Sequence, residues 1–376
     1  MPLLNLSGKS QVQPAVLDLS AEQLTAWLKE RRQPPMRARQ IRRWLLTGRA
    51  ELFDQMTDLP LALRRELAAE LMPLGTRTVR HLQASDGTHK LLLQLPDGEL
   101  IECVLLQEAD RRTVCISTQV GCGMGCVFCA SGLAGVARNL TVGEILEQLV
   151  RSQNLLPADE RLTHIVVMGM GEPLANLDNL LVALDVATAK NGLGLSARHV
   201  TISTVGLPAK IRRLADLGKP YHLAVSLHAP NDELRSRIVP TNPKTGLEAI
   251  LAAADYFFAQ TGRQVTYEYV LLRGLNDAPA HARELTRLLR GQHAHVNLIP
   301  FNDVEGLPYR RPTDEALATF VEQLRAAGVS VKVRKRKGSE IDAACGQLRR
   351  TEVRSQGTGV RGQEPVISDD REAGTR

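Results

Sequence analysis

A repeated alternation of strand-like and helix-like segments between residues 113 and 335 constrains the fold of this 376-residue chain more than any other feature. Each strand candidate is a short run rich in β-branched and apolar residues, and a helical pattern follows it. There are six, at residues 113–117, 164–168, 199–203, 222–227, 264–272 and 296–299. Repeated βα units form parallel sheets with helices packed against them. We therefore predict an α/β fold built on a partial, TIM-like (β/α)6 barrel over residues 108–338.

Helix signals lie between the strand candidates. Thr141 and Glu144 have the spacing of a capping box, which predicts a helix starting after Thr141. Pro208 can open a helix that ends near Gly218, and Thr313 can cap a helix that runs to about residue 327. Parallel strands of this kind place a functional site at their carboxyl ends.

Three cysteines within eight residues follow the first strand candidate: Cys122, Cys126 and Cys129. They offer a metal centre three thiolates and no local fourth ligand. Structural zinc prefers a closed set of four ligands, whereas a centre with an open position usually performs chemistry. A zinc site completed from a distance by Cys103 or Cys115 remains the alternative on spacing alone.

Polar residues also follow four of the later strand candidates, and together they predict a pocket at this edge of the sheet. They lie in the segments 169–173, 203–206, 226–228 and 300–302. Taken singly, His228 or Asn302 is more often a satisfied hydrogen-bonding residue than a ligand contact. The pocket prediction therefore depends on all four segments.

Residues 1–86 are predicted to form a small helical accessory domain, with one helix over residues 36–46. Between Lys29 and Arg49, eight basic residues are set against the single acid Glu30: Lys29, Arg31, Arg32, Arg37, Arg39, Arg42, Arg43 and Arg49. This density suits contacts with RNA phosphates, although a solvated helix face is the simpler alternative. Only 3% of the residues are aromatic, which argues against a base-stacking surface.

A β-hairpin extension is predicted for residues 87–107, with its turn at residues 96–98. Glu102 is the only charged residue between Leu100 and Leu106, and strand alternation puts it on the same face as Leu100 and Val104. An ionised carboxylate there needs a partner or a task. General acid/base use and a structural ion pair are both consistent with the pattern.

Composition and the termini give the remaining expectations. The chain has 43% apolar residues and a net charge of +6, and no run approaches the ~20 apolar residues of a membrane helix. The start of the chain shows no charged segment followed by a long apolar run, so we expect a cytoplasmic protein without membrane contact. Six clustered cysteines in a reducing compartment favour metal and redox chemistry over structural disulfides. Residues 351–376 are predicted to be a disordered tail.

The motifs resemble those of a known family. The C-x3-C-x2-C spacing, with Phe128 before the last cysteine, resembles the cluster motif of radical S-adenosylmethionine (SAM) enzymes, and residues 169–173 resemble their glycine-glutamate motif. Together with Cys115 and the segments 226–230 and 341–348, they resemble the RlmN family of RNA adenine C2 methyltransferases. This resemblance covers nearly the whole chain. Residues 338–340 depart from it, since relatives typically carry two aspartates after the glycine.

The resemblance implies cofactors, partners and residue roles. A 4Fe-4S cluster would be held by the three loop cysteines, and its free iron would bind SAM, of which two are used per turnover. SAM would be contacted by Gly171, Glu172, Ser203, Ser226, Leu227, His228 and Asn302. The implied RNA partners are 23S rRNA and tRNA, with an electron donor such as flavodoxin, and the enzyme would be a monomer.

The resemblance also implies a radical route with three further residues. Adenine C2 is too electron-poor to attack the SAM methyl group directly, whereas a radical can add there. Cys345, in a catalytic loop at 339–350, would carry the methyl carbon, Glu102 would accept the C2 proton, and Cys115 would resolve the protein–RNA adduct through a disulfide. A Cfr-type enzyme acting at C8, or a non-catalytic iron-sulfur or zinc RNA-binding protein, are the alternatives.

Overall fold

The computed structural model describes residues 13–133, 135–303 and 306–334. Cys345, the predicted loop at 339–350 and the predicted tail at 351–376 lie outside these residues. In the described part of the chain, no helix has both the length and the apolar character needed to cross a bilayer.

Ten α-helices are present in the described residues. They are α1 Ala21–Glu30, α2 Met36–Leu46, α3 Leu61–Glu70, α4 Val142–Asn154, α5 Leu177–Thr188, α6 Pro208–Asp216, α7 Asp232–Ile238, α8 Leu247–Thr261, α9 Pro279–Leu288 and α10 Asp314–Ala326. The predicted helix starts are confirmed, because α4 follows Thr141, α6 begins at Pro208 and α10 follows Thr313. At α4 the capping box is complete, with the Thr141 hydroxyl accepting from the Glu144 amide at 3.1 Å.

Twelve strands lie in the same residues. They are β1 Arg77–Gln83, β2 His89–Gln94, β3 Leu100–Glu108, β4 Arg111–Cys115, β5 Gln119–Gly121, β6 Val136–Asn139, β7 His164–Val167, β8 Val200–Thr204, β9 His222–Ser226, β10 Val265–Leu271, β11 Ala294–Pro300 and β12 Ser330–Val333. Ten of them form one sheet in the order β1-β2-β3-β4-β7-β8-β9-β10-β11-β12, and β5 and β6 form a separate antiparallel ribbon.

The large sheet has an antiparallel part and a parallel part. Strands β1 to β4 pair antiparallel, and β4, β7, β8, β9, β10, β11 and β12 pair parallel. All six predicted strands are present in the parallel part, and the predicted hairpin is β2 and β3. The predicted α/β class, with a helical amino-terminal region, is confirmed.

Four strands were not predicted: β5 and β6 of the ribbon, and β1 and β12 of the large sheet. The helical accessory segment was expected to reach residue 86, but its helices end at Glu70, and β1 pairs with β2 from Arg77 onward. Strand β1 is mostly exposed, so its sequence lacks the apolar alternation that marks a strand. Strand β12 is a seventh parallel strand of only four residues, and it adds to the sheet beside β11. Both β1 and β12 lie at a sheet edge, where pairing with a neighbour decides the structure.

The main apolar core lies on one face of the sheet. Register partners such as Val114, Ile165 and Val200 belong to this core, together with buried residues of the helices. The opposite face carries residues such as Cys115, Ser203 and Ser226, which alternate with the core residues along the strands. We call it the polar face.

Several hydrogen bonds, most of them partly buried, attach the amino-terminal region to the parallel part. The Asp18 carboxylate accepts from the Gly143 amide at 2.9 Å, at the start of α4. Arg49 donates to the carbonyls of Leu156, Pro157 and Glu160 in the loop after α4. Helix α4 therefore links the accessory region to the sheet.

Candidate functional site

The three loop cysteines lie on the β5–β6 ribbon, directly after β5. The Cys122 amide donates to the Gly135 carbonyl at 2.8 Å, which closes the base of the loop. Gly121 has φ +79°, and a Cβ there would lie 2.1 Å from the Gly135 carbonyl oxygen. Only glycine fits this position, so the loop geometry depends on the backbone freedom of Gly121.

The cysteine loop packs over the carboxyl ends of the parallel strands. The Val127 amide donates to the Ile238 carbonyl at the end of α7, at 3.1 Å. The Phe128 ring meets the His228 ring edge-on, with 4.7 Å between centroids. Residues of this loop pack against a second apolar cluster that includes Val205 and Val270. The cysteines are therefore at the edge of the sheet where the sequence predicts the pocket.

Residues 169–173 pass beside the same loop. The Met170 amide donates to the Ser117 hydroxyl at 2.8 Å. Gly171 has φ +103°, and a Cβ there would lie 2.7 Å from the Gln119 side chain, so the close approach requires glycine. The Gly171 backbone also favours ionisation of the Cys122 thiol. The glycine-glutamate segment and the first cysteine are thus neighbours.

The Glu172 side chain is used within the protein. It is 3% exposed, and its carboxylate accepts from the Leu174 amide at 3.0 Å and the Val205 amide at 2.8 Å. Burial raises the pKa of this carboxyl. Its side chain joins the ends of β7 and β8, which leaves the backbone of this segment as the part that can contact a ligand.

The loop thiols are poor acids without a metal. Burial raises the pKa of Cys122 to about 11 and also raises the pKa of Cys126, and each thiol disfavours ionisation of its neighbours. A bound metal centre supplies the positive charge that converts such thiols to thiolates. In the described ranges, no three His, Cys, Asp or Glu side chains are grouped as ligands of a single metal ion.

Some buried side-chain oxygens without hydrogen-bond partners belong to residues near the cysteine loop in the sequence or at the carboxyl end of a parallel strand. Within the described residues they include the side-chain oxygens of Thr118, Ser131 and Asn302. Thr118 precedes β5, Ser131 follows Cys129 by two residues, and Asn302 follows β11. An unsatisfied buried acceptor or hydroxyl usually indicates a missing partner. The unpaired oxygens fit a polar ligand beside the loop, and the loop thiols, which affect one another's ionisation, are the groups that would hold a cluster there.

Several predicted residues share the polar face. Val104 of β3 is the register partner of Cys115, so Glu102, two residues away, points to the same side as Cys115. Through the register of β4, β7 and β8, Ser203 lies on this side as well. Ser226 follows from the pairing of β8 with β9. The sheet therefore brings together residues that are far apart in the sequence.

Glu102 has a buried cation as its partner, which the sequence interpretation did not identify. Its carboxylate lies 2.9 Å from the Lys90 ammonium, and the two side chains are 2% and 0% exposed. The structural ion pair considered for Glu102 is therefore present. The pair is at the edge of the candidate site, since the Glu102 carbonyl accepts from the Ser117 hydroxyl at 2.6 Å.

Residues 226–228 divide between the core and the site. The Leu227 side chain is fully buried in the main core, so only its backbone can meet a ligand. His228 has φ +61°, and its Nδ1 accepts from the Val270 amide at 3.1 Å. Burial, with a contribution from Arg235, lowers the His228 pKa to about 3. The neutral ring then carries its proton on Nε2.

Besides Lys90, two more buried charged residues on this side of the sheet were missed by the sequence interpretation. Glu268 of β10 is 5% exposed, is the register partner of Ser226, and accepts from the Asn297 amide group at 2.9 Å. Its signal was available, since it is a lone acid inside an apolar strand. Arg235 of α7 is 1% exposed. The sequence carries no sign of this, because nearby Arg237 looks the same and is exposed.

Cys115 and Cys103, which lie outside the loop, are on opposite faces of the sheet. Cys115, at the end of β4, is 7% exposed on the polar face. Cys103 is buried in the main core, where burial raises its pKa to about 12. Cys345 is outside the described residues, so its position relative to Cys115 is not given by the structure.

Comparisons with known proteins agree with this arrangement. Residues 116–285 match the radical SAM superfamily model, and residues 15–72 match the model of the ribosomal RNA large subunit methyltransferase N-terminal domain. A solved structure, a radical SAM methyltransferase from Sphaerobacter thermophilus, superposes with a TM-score of 0.86 at 45% identity, covering 89% of this chain and 98% of that one. The superfamily implies a 4Fe-4S cluster and SAM.

Curated relatives match over almost their full length. A probable dual-specificity RNA methyltransferase RlmN of Rhodopirellula baltica is 56% identical, covering 93% of this chain and 95% of the relative. The corresponding protein of Symbiobacterium thermophilum is 46% identical, covering 88% of this chain and 90% of the relative. The chain therefore belongs to the RlmN family of dual-specificity RNA methyltransferases, within the radical SAM superfamily.

Proposed function

We propose that this protein methylates C2 of adenine in the peptidyl-transferase centre of 23S rRNA and in tRNA, at the adenine next to the anticodon. The observation that supports this most directly is the shared polar face. It places Cys115, Glu102, Ser203 and Ser226 on one side of the sheet. The three-cysteine loop packs over the carboxyl ends of the same strands.

Cys122, Cys126 and Cys129 would hold the 4Fe-4S cluster, and the segment around Gly171 and Glu172 would contact SAM through its backbone. When bound, this pair of cofactors supplies one-electron cleavage of SAM, and with it a route to a carbon that polar methyl transfer cannot reach. Ser203, Ser226, His228 and Asn302 are proposed to contact the rest of SAM. The Asn302 side-chain oxygen, buried and without a partner in the described residues, fits such a contact.

Cys345 is proposed to carry the methyl carbon to the base, and Glu102 to accept the proton that leaves C2. The Lys90 ammonium lies 2.9 Å from the Glu102 carboxylate and holds it in place at the edge of the site. After the adduct has lost one electron to the cluster and its C2 proton, the Cys115 thiolate would attack the Cys345 sulfur and form a disulfide. The electron pair of the broken sulfur–carbon bond would stay on the carbon, which takes up a proton to become the methyl group. Two SAM molecules per turnover, a flavodoxin-type electron donor, a monomeric state and a cytoplasmic location complete the proposal.

The cofactor assignment is tested by iron content and SAM cleavage. Anaerobically reconstituted protein should bind about four irons per chain and release 5′-deoxyadenosine with a strong reductant. Cys126→Ala should lose most of this iron, whereas Cys103→Ala, which removes a buried thiol outside the loop, should keep it. Zinc in place of iron, or equal iron loss in both variants, would contradict the assignment.

The reaction itself is tested through the resolving cysteine. Cys115→Ala should accumulate RNA covalently attached at Cys345, because the adduct forms but is not released. Mass spectrometry of the trapped peptide and NMR of the methylated nucleoside from wild-type reactions identify the attachment residue and the carbon. Methylation at C8 would show a Cfr-type activity instead.

A further inference from the structure

Arg235 is the largest fully buried side chain in the described residues, and it lies at the carboxyl ends of two strands of the site. Its Nε donates to the Leu227 carbonyl at 3.1 Å. One terminal nitrogen donates to the carbonyls of Val205 and Ser226, at 2.5 and 3.0 Å. The other donates to the Asn242 side-chain oxygen at 2.5 Å. The guanidinium therefore holds the segments that follow β8 and β9 in fixed positions.

All of these partners are neutral. Within the described residues, no carboxylate forms an ion pair with Arg235, although Asp232 is near enough to interact electrostatically. Burial lowers the Arg235 pKa to about 10, so the group remains charged at neutral pH. A buried charge without an opposite charge is costly, and proteins retain one mainly where it has a partner or a task.

The cysteine loop is next to this charge. Helix α7, which carries Arg235, accepts a hydrogen bond from the Val127 amide through the Ile238 carbonyl at 3.1 Å. Leu234 of the same helix belongs to the apolar cluster against which Cys126 packs. Arg235 and Cys126 also influence each other's ionisation. Arg235 is thus on the helix that packs against the cysteine loop, within electrostatic range of the Cys126 thiol.

We propose that Arg235 is a positioning residue that supplies the fixed positive charge opposite the three-cysteine centre and raises its reduction potential. This inference rests on the proposed function, since it requires a cluster at Cys122, Cys126 and Cys129. A cluster held by three thiolates becomes more negative when it accepts an electron. A buried cation at a fixed distance stabilises the reduced form more than the oxidised form, and the surrounding apolar residues limit screening by water. The same fork keeps Ser226 and Leu227 at the edge of the site.

The test compares the reduction potential of reconstituted variants by redox titration followed by electron paramagnetic resonance. Arg235→Gln removes the charge and should shift the potential to more negative values. Arg235→Lys keeps the charge but loses the fork, so its potential should stay near that of the wild type while its melting temperature falls. Arg237→Gln, on the same helix but exposed, should leave the potential unchanged.

A charge exchange tests the same point without removing the arginine. The Asn242 amide group donates to the Asp232 carboxylate at 2.9 Å. In the double variant D232N/N242D this hydrogen bond can re-form in the opposite direction, and the carboxylate is then at position 242, directly beside the Arg235 guanidinium. The reduction potential of this variant should become more negative, as in Arg235→Gln.

The outcomes separate the two proposals. A wild-type protein that binds no cluster overturns the proposed function. The wild-type protein can bind a cluster while cluster-loaded Arg235→Gln or D232N/N242D has the same reduction potential as the wild type. That result overturns only the role of Arg235. Equal shifts in Arg235→Lys and Arg235→Gln would also overturn it, because they would assign the effect to shape and not to charge.

Discussion

At the scale of single residues, the site depends on charged groups that the fold has buried with specific partners. Glu102 has Lys90, Glu172 has two backbone amides, and Arg235 has three carbonyls and an amide oxygen. Burying any of these charged groups without a partner is costly, so the folded state depends on the partners that compensate each one. Substitutions that remove one partner should therefore affect stability more than those that remove both.

Lys90 and Glu102 give the clearest case. Lys90→Met should lower the free energy of unfolding by about 3 kcal/mol, because it leaves the Glu102 carboxylate buried without its cation. The double variant K90M/E102M should recover most of this loss. Urea unfolding of both variants measures the difference. A Lys90→Met protein as stable as the wild type would show that the pair does not behave as a buried ion pair.

His228 predicts a pH dependence. Its pKa is lowered from 6.5 to about 3 in the folded protein, so below pH 6.5 the unfolded chain takes up a proton that the folded chain does not. Wild-type stability should therefore fall, relative to His228→Gln, by about 1.4 kcal/mol per pH unit as the pH drops from 6 toward 4. Above pH 7 the difference should be constant. Urea unfolding of the iron-free proteins tests this, and parallel pH profiles would contradict it.

At the scale of elements, the β5–β6 ribbon that carries the cysteine loop is attached to the start of α4. Arg138 of β6 donates to both Glu144 oxygens at 2.8 Å, and Glu144 also accepts from the Thr141 amide at 2.9 Å. These contacts raise the Arg138 pKa. One residue thus serves both as part of a helix cap and as the anchor of the ribbon.

Substitution of Glu144 should separate these two roles. Glu144→Gln keeps a capping acceptor and loses the charge, whereas Glu144→Ala loses both. We expect Glu144→Ala to destabilise the protein by about 2 kcal/mol and Glu144→Gln by about half as much. Hydrogen exchange over residues 136–139 should be faster in both, and more so in the alanine variant. If both variants were destabilised equally, the capping hydrogen bond would contribute nothing, because Glu144→Gln retains it.

At the scale of the whole molecule, the basic character of the accessory helices is smaller than the sequence suggests. Arg31 pairs with Glu70, Arg43 pairs with Asp58, and Arg49 is engaged with the loop after α4. Of the eight basic residues from Lys29 to Arg49, three are exposed and make no ion pair or side-chain hydrogen bond within the described residues: Lys29, Arg32 and Arg39. They are the ones available for RNA phosphates.

The triple variant K29A/R32A/R39A should therefore bind RNA more weakly, and the slope of log affinity against log salt should decrease by about 2 to 3. A matched control, R283A/R287A/R290A, removes the same charge from exposed positions on α9 and the turn after it. Filter binding of tRNA at several salt concentrations measures both slopes. Equal losses in the two variants would indicate only an effect of net charge.

Local patterns in the sequence determined much of this protein. The six predicted strands, the capping box at Thr141 and the helix start at Pro208 are signals carried by neighbouring residues, and each is present in the structure. The cysteine spacing likewise pointed to a metal centre after the first strand. Backbone conformation and helix capping act over a few residues, so a sequence can reveal them directly.

Only the tertiary structure decided the rest. Strands β1 and β12 exist because β2 and β11 offer them pairing partners. The sequence of β1 lacks an alternating apolar pattern, and the alternation of β12 spans only four residues. Glu102 meets Lys90, and Arg235 is buried where Arg237 is exposed, through contacts between segments that are separate in the chain. Pairing, burial and electrostatic partnership depend on which distant residues the fold brings together, and a local pattern cannot specify them.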